Sequence, residues 1–256
     1  MENENVIVEE LIENVIMLDA EIFSEEWEDF LEEPTSYLPQ TKPPLSMALP
    51  IPDRNETLLI YYDQGYHYTK QTLSTLKKHV QEEKFLDYDC LSKALKRVNC
   101  FGSRLFPMVS STTCLFPFGG SIQHAAWINP IEIEEIKTTD SGTQIKMRGG
   151  MTYCTRIGKR TIENHAMNAL VLLATHRQDR LYKEVEGQIP LDYLCLPNTP
   201  FMRSICQKPL LQKFPLPIGA LERNYDSERF MKNVLNVSKV IHSGVLSYDA
   251  FSKLLK

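Results

Sequence analysis

Long apolar runs are missing from this sequence. No uncharged apolar stretch approaches the ~20 residues that a membrane-spanning helix requires. The best of them, residues 166–175, is ten residues long. A basic leader followed by an apolar segment is also missing, because residues 1–5 read Met-Glu-Asn-Glu-Asn, so no secretory signal is read there. These absences predict a cytoplasmic protein with no membrane partner. Closely spaced cysteines are missing too. The six stand at 90, 100, 114, 154, 195 and 206. In a reducing compartment they read as buried thiols, not as disulfides or a zinc site.

Catalytic signatures are equally scarce. No P-loop, GxGxxG, HExxH or GxSxG occurs, and with them go the commonest phosphate, dinucleotide, zinc-hydrolase and serine-hydrolase chemistries. Gly119-Gly120-Ser121 reads as a turn, not a phosphate cradle. His165 and His176 lie eleven residues apart on one expected helix, about 16 Å along its axis, too far to share a metal. A thiol enzyme built on Cys114 or Cys154 with His124 would need an activated nucleophile, and no spacing brings those residues together. No cofactor, no metal ligand and no catalytic residue is expected, and the protein is not expected to be an enzyme.

Basic residues are absent from one end. Residues 1–33 hold 13 acidic side chains and no basic one, while the remaining 223 residues hold 28 basic against 20 acidic, a net of +8. The overall −5 therefore hides an acidic arm on a basic body. A basic body suits a polyanion partner. Apolar residues recur at near-helical spacing from Val8 through Trp27 to Leu31, which predicts an acidic amphipathic helical arm over residues 1–33. Such an arm is either docked on the body, bound to a partner, or laid over the protein's own basic face.

Six prolines between 34 and 52 predict an extended linker over 34–55, neither helix nor central strand. The body then starts at residue 56. Residues 57–62 and 112–117 read as strands, and residues 72–83 as a helix. Asp87 caps a second helix that turns Leu91, Ala94, Leu95 and Val98 inward. Lys93, Lys96 and Arg97 are left on its solvent side, with Asn99 and Gly102 at its end. The clearest pattern is an antiparallel meander over 131–157. It has a turn at Asp140-Ser-Gly142 and a hairpin at Gly149-Gly150. Ile145 and Met147 face one side of it and Lys146 and Arg148 the other. Thr161 caps a long helix with Ile162, Ala166, Ala169, Leu170, Leu173 and Ala174 buried. Residues 183–256 read as a Pro-rich wrap, an amphipathic helix over 227–241 with Phe230, Val234, Val237 and Ile241 as its apolar stripe, and a short helix after Ser247. The fold class is α+β, a small antiparallel sheet flanked by helices.

Several local stretches then stand in a telling order: Asn99-Cys-Phe-Gly-Ser103, Cys114-Leu-Phe-Pro117, Ser121-Ile-Gln-His-Ala-Ala-Trp-Ile128, the meander and its helix. This ordered set resembles the bacterial competence transcription factor (ComK) family, over about residues 57–182. In that family Phe-Gly-Ser is commonly followed by a basic Gly-Arg-Lys loop, whereas here 104–111 is a short bridge whose one basic residue is Arg104. The resemblance implies a DNA-binding activator acting at AT-rich promoters of DNA-uptake (competence) genes. It further implies self-association on DNA, contact with RNA polymerase, nucleoid association, and turnover through a proteolytic adaptor.

A duplex needs cations on one face for phosphates, and AT-rich minor grooves favour inserted Arg or Lys. The candidates are Lys93, Lys96, Arg97, Arg104, Lys146, Arg148, Arg156, Lys159 and Arg160. Residues 146–160 alone contain five cations and no carboxylate. Trp127 reads as a core anchor, not a wedge between bases. The alternative function is a protein-interaction module that keeps the fold without binding DNA.

Overall fold

The computed structural model describes residues 16–32, 45–61, 66–69, 85–101, 105–119, 125–181 and 187–242. The expected helices at 72–83 and after Ser247 lie outside them, as do residues 1–15 of the arm. Within the described residues the fold is α+β. The smaller sheet contains β1 (Met17–Asp19), β8 (Ile133–Thr139), β9 (Gly142–Met147) and β10 (Thr152–Thr155), in the order β1-β10-β9-β8. The larger sheet contains β2 (Leu45–Pro50), β3 (Thr57–Tyr61), β4 (Tyr66–Thr69), β5 (Met108–Val109), β6 (Cys114–Phe118) and β7 (Ala126–Ile128). Its order is β4-β3-β2-β7-β6-β5.

The expected meander is β8–β9–β10, antiparallel throughout. Its alternation places Ile145 and Met147 in the core and leaves Lys146 half-buried. Gly142, with φ +148°, sits where an added Cβ would collide with the Thr155 carbonyl. Arg148 to Met151 close the second hairpin, with Gly150 at φ +88° and its N–H donating to the Met147 carbonyl at 3.0 Å.

The larger sheet departs from expectation. Residues 45–50 fall within the stretch read as linker, yet they form β2, hydrogen-bonded between β3 and β7. Prolines stand at 43, 44, 50 and 52, so they bracket a proline-free run whose Leu45, Met47 and Leu49 are fully buried. A proline count over twenty residues hides a strand that starts after Pro44 and ends on Pro50.

The acidic arm also departs from the purely helical reading. Residues 17–19 form β1, which adds in parallel to β10. The Asp19 carboxylate then accepts from the Glu21 and Ile22 N–H groups at 2.8 and 3.0 Å, a local turn that competes with helix. The helix α1 follows only at Glu25–Glu32. Leu18 and Trp27 are fully buried, and the Trp27 indole N–H donates to the Asp19 carbonyl at 2.8 Å. The described arm thus shares one continuous apolar core with both sheets and with the C-terminal segment. The boundaries at 33, 55 and 182 separate compositions, not cores.

Helix α2 (Tyr88–Val98) is capped as expected. Asp87 accepts from the Cys90 N–H at 3.0 Å, and Asn99 ends the helix in the left-handed region at φ +50°. Helix α3 (Lys159–Leu181) starts two residues before Thr161, because the Gly158 carbonyl accepts from Thr161 and Ile162. It is buried on every side from Ala169 to His176, so it forms the spine between the sheets and the C-terminal segment. Arg177 near its end donates to the carbonyls of Ser111, Thr112 and Tyr193 at 2.9–3.0 Å. Helix α4 (Pro200–Cys206) and helix α5 (Ala220–His242) complete the set. The Asp179 carboxylate of α3 accepts from the Gly219 and Glu222 N–H groups at 2.6 and 2.9 Å, so α5 begins seven residues before its expected start.

Candidate nucleic-acid interface

Nine cations were candidates, and the structure divides them. Five of them fall in residues 146–160, a stretch without a single acid of its own. Its acids come from elsewhere. Antiparallel pairing sets β8, which carries Glu134 and Glu135, against β9. Lys146 Nζ lies 3.1 Å from Glu134 Oε2, and Arg148 Nη1 lies 3.5 Å from Glu132 Oε2. Burial pushes the Glu132 carboxyl up from the ordinary range, and the Arg148 charge pulls it back. Arg156 Nε meets Glu21 of the arm at 3.1 Å. Lys159 donates to the Ile136 carbonyl at 2.9 Å and has Glu163 at 4.0 Å. Arg160 is exposed. Four of the five cations therefore face a carboxylate, Glu134, Glu132, Glu21 or Glu163, which offsets most of the group's field.

Helix α2 differs. Its inward face buries Tyr88, Cys90, Leu91, Ala94 and Leu95. Lys93 and Lys96, three residues apart, stand side by side on the exposed face and make no ion pair among the described residues. Arg97 is held instead by Glu228 of α5, Nη2 to Oε1 at 2.5 Å. Arg104 lies outside the described residues.

Lys232 of α5 stands outside the candidate set. Its Nζ lies 2.6 Å from Asp87 Oδ2 and 3.8 Å from Asp89 Oδ2. The hydrogen bond from Lys232 and those from the backbone lower the Asp87 carboxyl, outweighing the opposing effect of its burial. Lys232 also lines a cleft of about 410 Å³ between α2 and α5, together with Lys93, Lys96, Leu235 and Asn236. Some 140 residues separate it from α2, so no local pattern could have found it.

The remaining expectations are placed as follows. Trp127 is buried and packs edge-to-face on Tyr88, centroids 5.7 Å apart. Burial raises the thiols of Cys100, Cys154 and Cys206 above the ordinary range, takes Cys90 to about 11, and pushes Cys114 highest of all. None of these five is an activated nucleophile. His124 lies outside the described residues. Among the described residues no group of three or more His, Cys, Asp or Glu is placed to hold a metal ion, and no helix is long and apolar enough to cross a membrane. No protein-family model, curated protein or solved structure matches the chain.

Proposed function

We propose that this chain is a DNA-binding transcriptional regulator of the ComK type, acting at AT-rich promoters of DNA-uptake genes. The observation that carries this reading is the exposed pair Lys93 and Lys96 on α2, ammonium groups that form no ion pair with a carboxylate among the described residues. Phosphates supply the charge that such a pair lacks. The ordered stretches behind the family resemblance add support. Phe101, Phe116, Trp127 and Ile128 all contribute to one core with the meander and α3. Within the candidate set, the grip then rests on Lys93 and Lys96 with Arg160, not on the paired cations of the meander. RNA polymerase contact, self-association on DNA, nucleoid association and adaptor-mediated turnover in the cytoplasm belong to the same proposal.

The test is a fluorescence-anisotropy titration of the full chain with AT-rich and GC-rich duplexes at two salt concentrations. Salt-sensitive binding with an AT preference supports the regulator. Absence of binding at low salt overturns it.

A second reading, the interaction module that does not bind DNA, is favoured by a different observation. Helix α5 exposes Phe230, Met231, Val234 and Leu235 to solvent.

A further inference from the structure

Of the expected apolar stripe of α5, Phe230 and Val234 point to solvent and Val237 is half-buried, while the side chain of Ile241 lies outside the described residues. Phe230 is 66% exposed, Met231 48%, Val234 45% and Leu235 54%. The buried side of the helix is set instead by Leu221, Tyr225 and Glu228, which face α2 through Arg97 and through the Tyr225 hydroxyl accepting from the Asp87 N–H at 2.9 Å. At 100° per residue the four exposed side chains span an arc of about 140°, the width of a docking face for one helix.

The two margins of this stripe differ. Leu235 borders the cleft between α2 and α5, which Lys93 and Lys96 also line. One carboxylate, Asp89, lines that cleft among three ammonium groups and lies 3.8 Å from Lys232. The other margin carries Asp226 and Asn233, both exposed or half-buried. A second copy of α5 with its α2 would bring a further Lys93 and Lys96, of like charge, to the same contact. An anionic membrane would meet the Asp226 carboxylate along the outer margin. An occupant with an apolar face and carboxylates along one edge satisfies both margins.

The geometry points to this face as the docking site for an acidic amphipathic helix of a partner protein. The partner's apolar residues at i, i+3, i+4 and i+7 cover Phe230, Met231, Val234 and Leu235, and its carboxylates meet Lys93 and Lys96. The inference stands on the apolar stripe and does not require that the protein bind DNA.

The probe is a fluorescein-labelled designed 18-residue helix with Leu at that spacing and Glu along one edge, titrated with the full chain. A control peptide carries Lys in place of Glu. Saturable binding of the acidic peptide alone is expected. The double variant Phe230→Ser/Leu235→Ser weakens it about tenfold, and so does Lys93→Glu/Lys96→Glu. The first variant removes only exposed side chains, so its thermal midpoint and any DNA affinity stay unchanged. Loss of DNA binding in the wild-type chain with peptide binding intact would fault the regulator reading and leave this one standing. Equal binding of both peptides, or no binding of either, overturns the proposal. So does stripe-dependent sedimentation as a dimer, or stripe-dependent binding to phosphatidylserine vesicles, when the acidic peptide does not bind.

Discussion

Arg97 on α2 and Glu228 on α5 form an ion pair 2.5 Å long in which the carboxylate is almost fully buried while the guanidinium remains half-exposed. The asymmetry makes the pair matter more to Glu228 than to Arg97. Arg97→Ala leaves a buried carboxylate without its counter-charge and costs about 1–3 kcal/mol. Glu228→Gln keeps a polar acceptor there and costs less. Urea unfolding of the two variants checks the order.

Asp179 ties α5 to α3 by accepting from two N–H groups at the start of the helix. Asp179→Ala strands both donors and costs about 1–2 kcal/mol. Hydrogen exchange in the first turn of α5 speeds up in this variant, while exchange in the meander does not.

Burial lowers the His176 imidazole to about 4, and Arg180 and Arg177 push the same way. The folded protein therefore holds His176 neutral where the unfolded chain, with a value near 6.5, takes up a proton. Its contribution to stability is full above pH ~6.5 and is lost as pH falls toward 4. Between pH 7.5 and 5 this amounts to about 2 kcal/mol. Urea midpoints across that range fall less steeply for His176→Gln than for the wild type.

Trp27 shows that the described arm is part of the core. Its indole is fully buried and hydrogen-bonded to the Asp19 carbonyl. Trp27→Ala costs about 3–5 kcal/mol, read as a lowered thermal midpoint. An arm merely laid on the surface would give a change below ~1 kcal/mol.

The meander and α2 are legible in the sequence because their signals are local. Period-two alternation, a Gly-Gly hairpin and an Asp cap each act within a few residues. What depends on distant pairing is not legible. Residues 146–160 read as a basic patch because Glu134 lies on β8, Glu132 in the turn before it and Glu21 on the arm, and only folding brings them alongside. β2 is hidden by the prolines that bracket it. For α5 the apolar periodicity is real, yet Phe230 and Val234 face solvent: the helix is seated through Tyr225, Glu228 and Lys232, long-range polar partners that hydrophobic spacing does not register.

In the proposed regulator, Lys93 and Lys96 of α2 hold the duplex and the cations of the meander do not. The direct test is the slope of log affinity against log salt for an AT-rich duplex, compared between Lys93→Ala/Lys96→Ala and Lys146→Ala/Arg148→Ala. Each lost phosphate contact flattens the slope by about 0.9. The account predicts a slope flatter by about 1.8 for the α2 pair and an unchanged slope for the meander pair, whose cations are already engaged by Glu134 and Glu132. A flattened slope for the meander pair with none for Lys93 and Lys96 would contradict it.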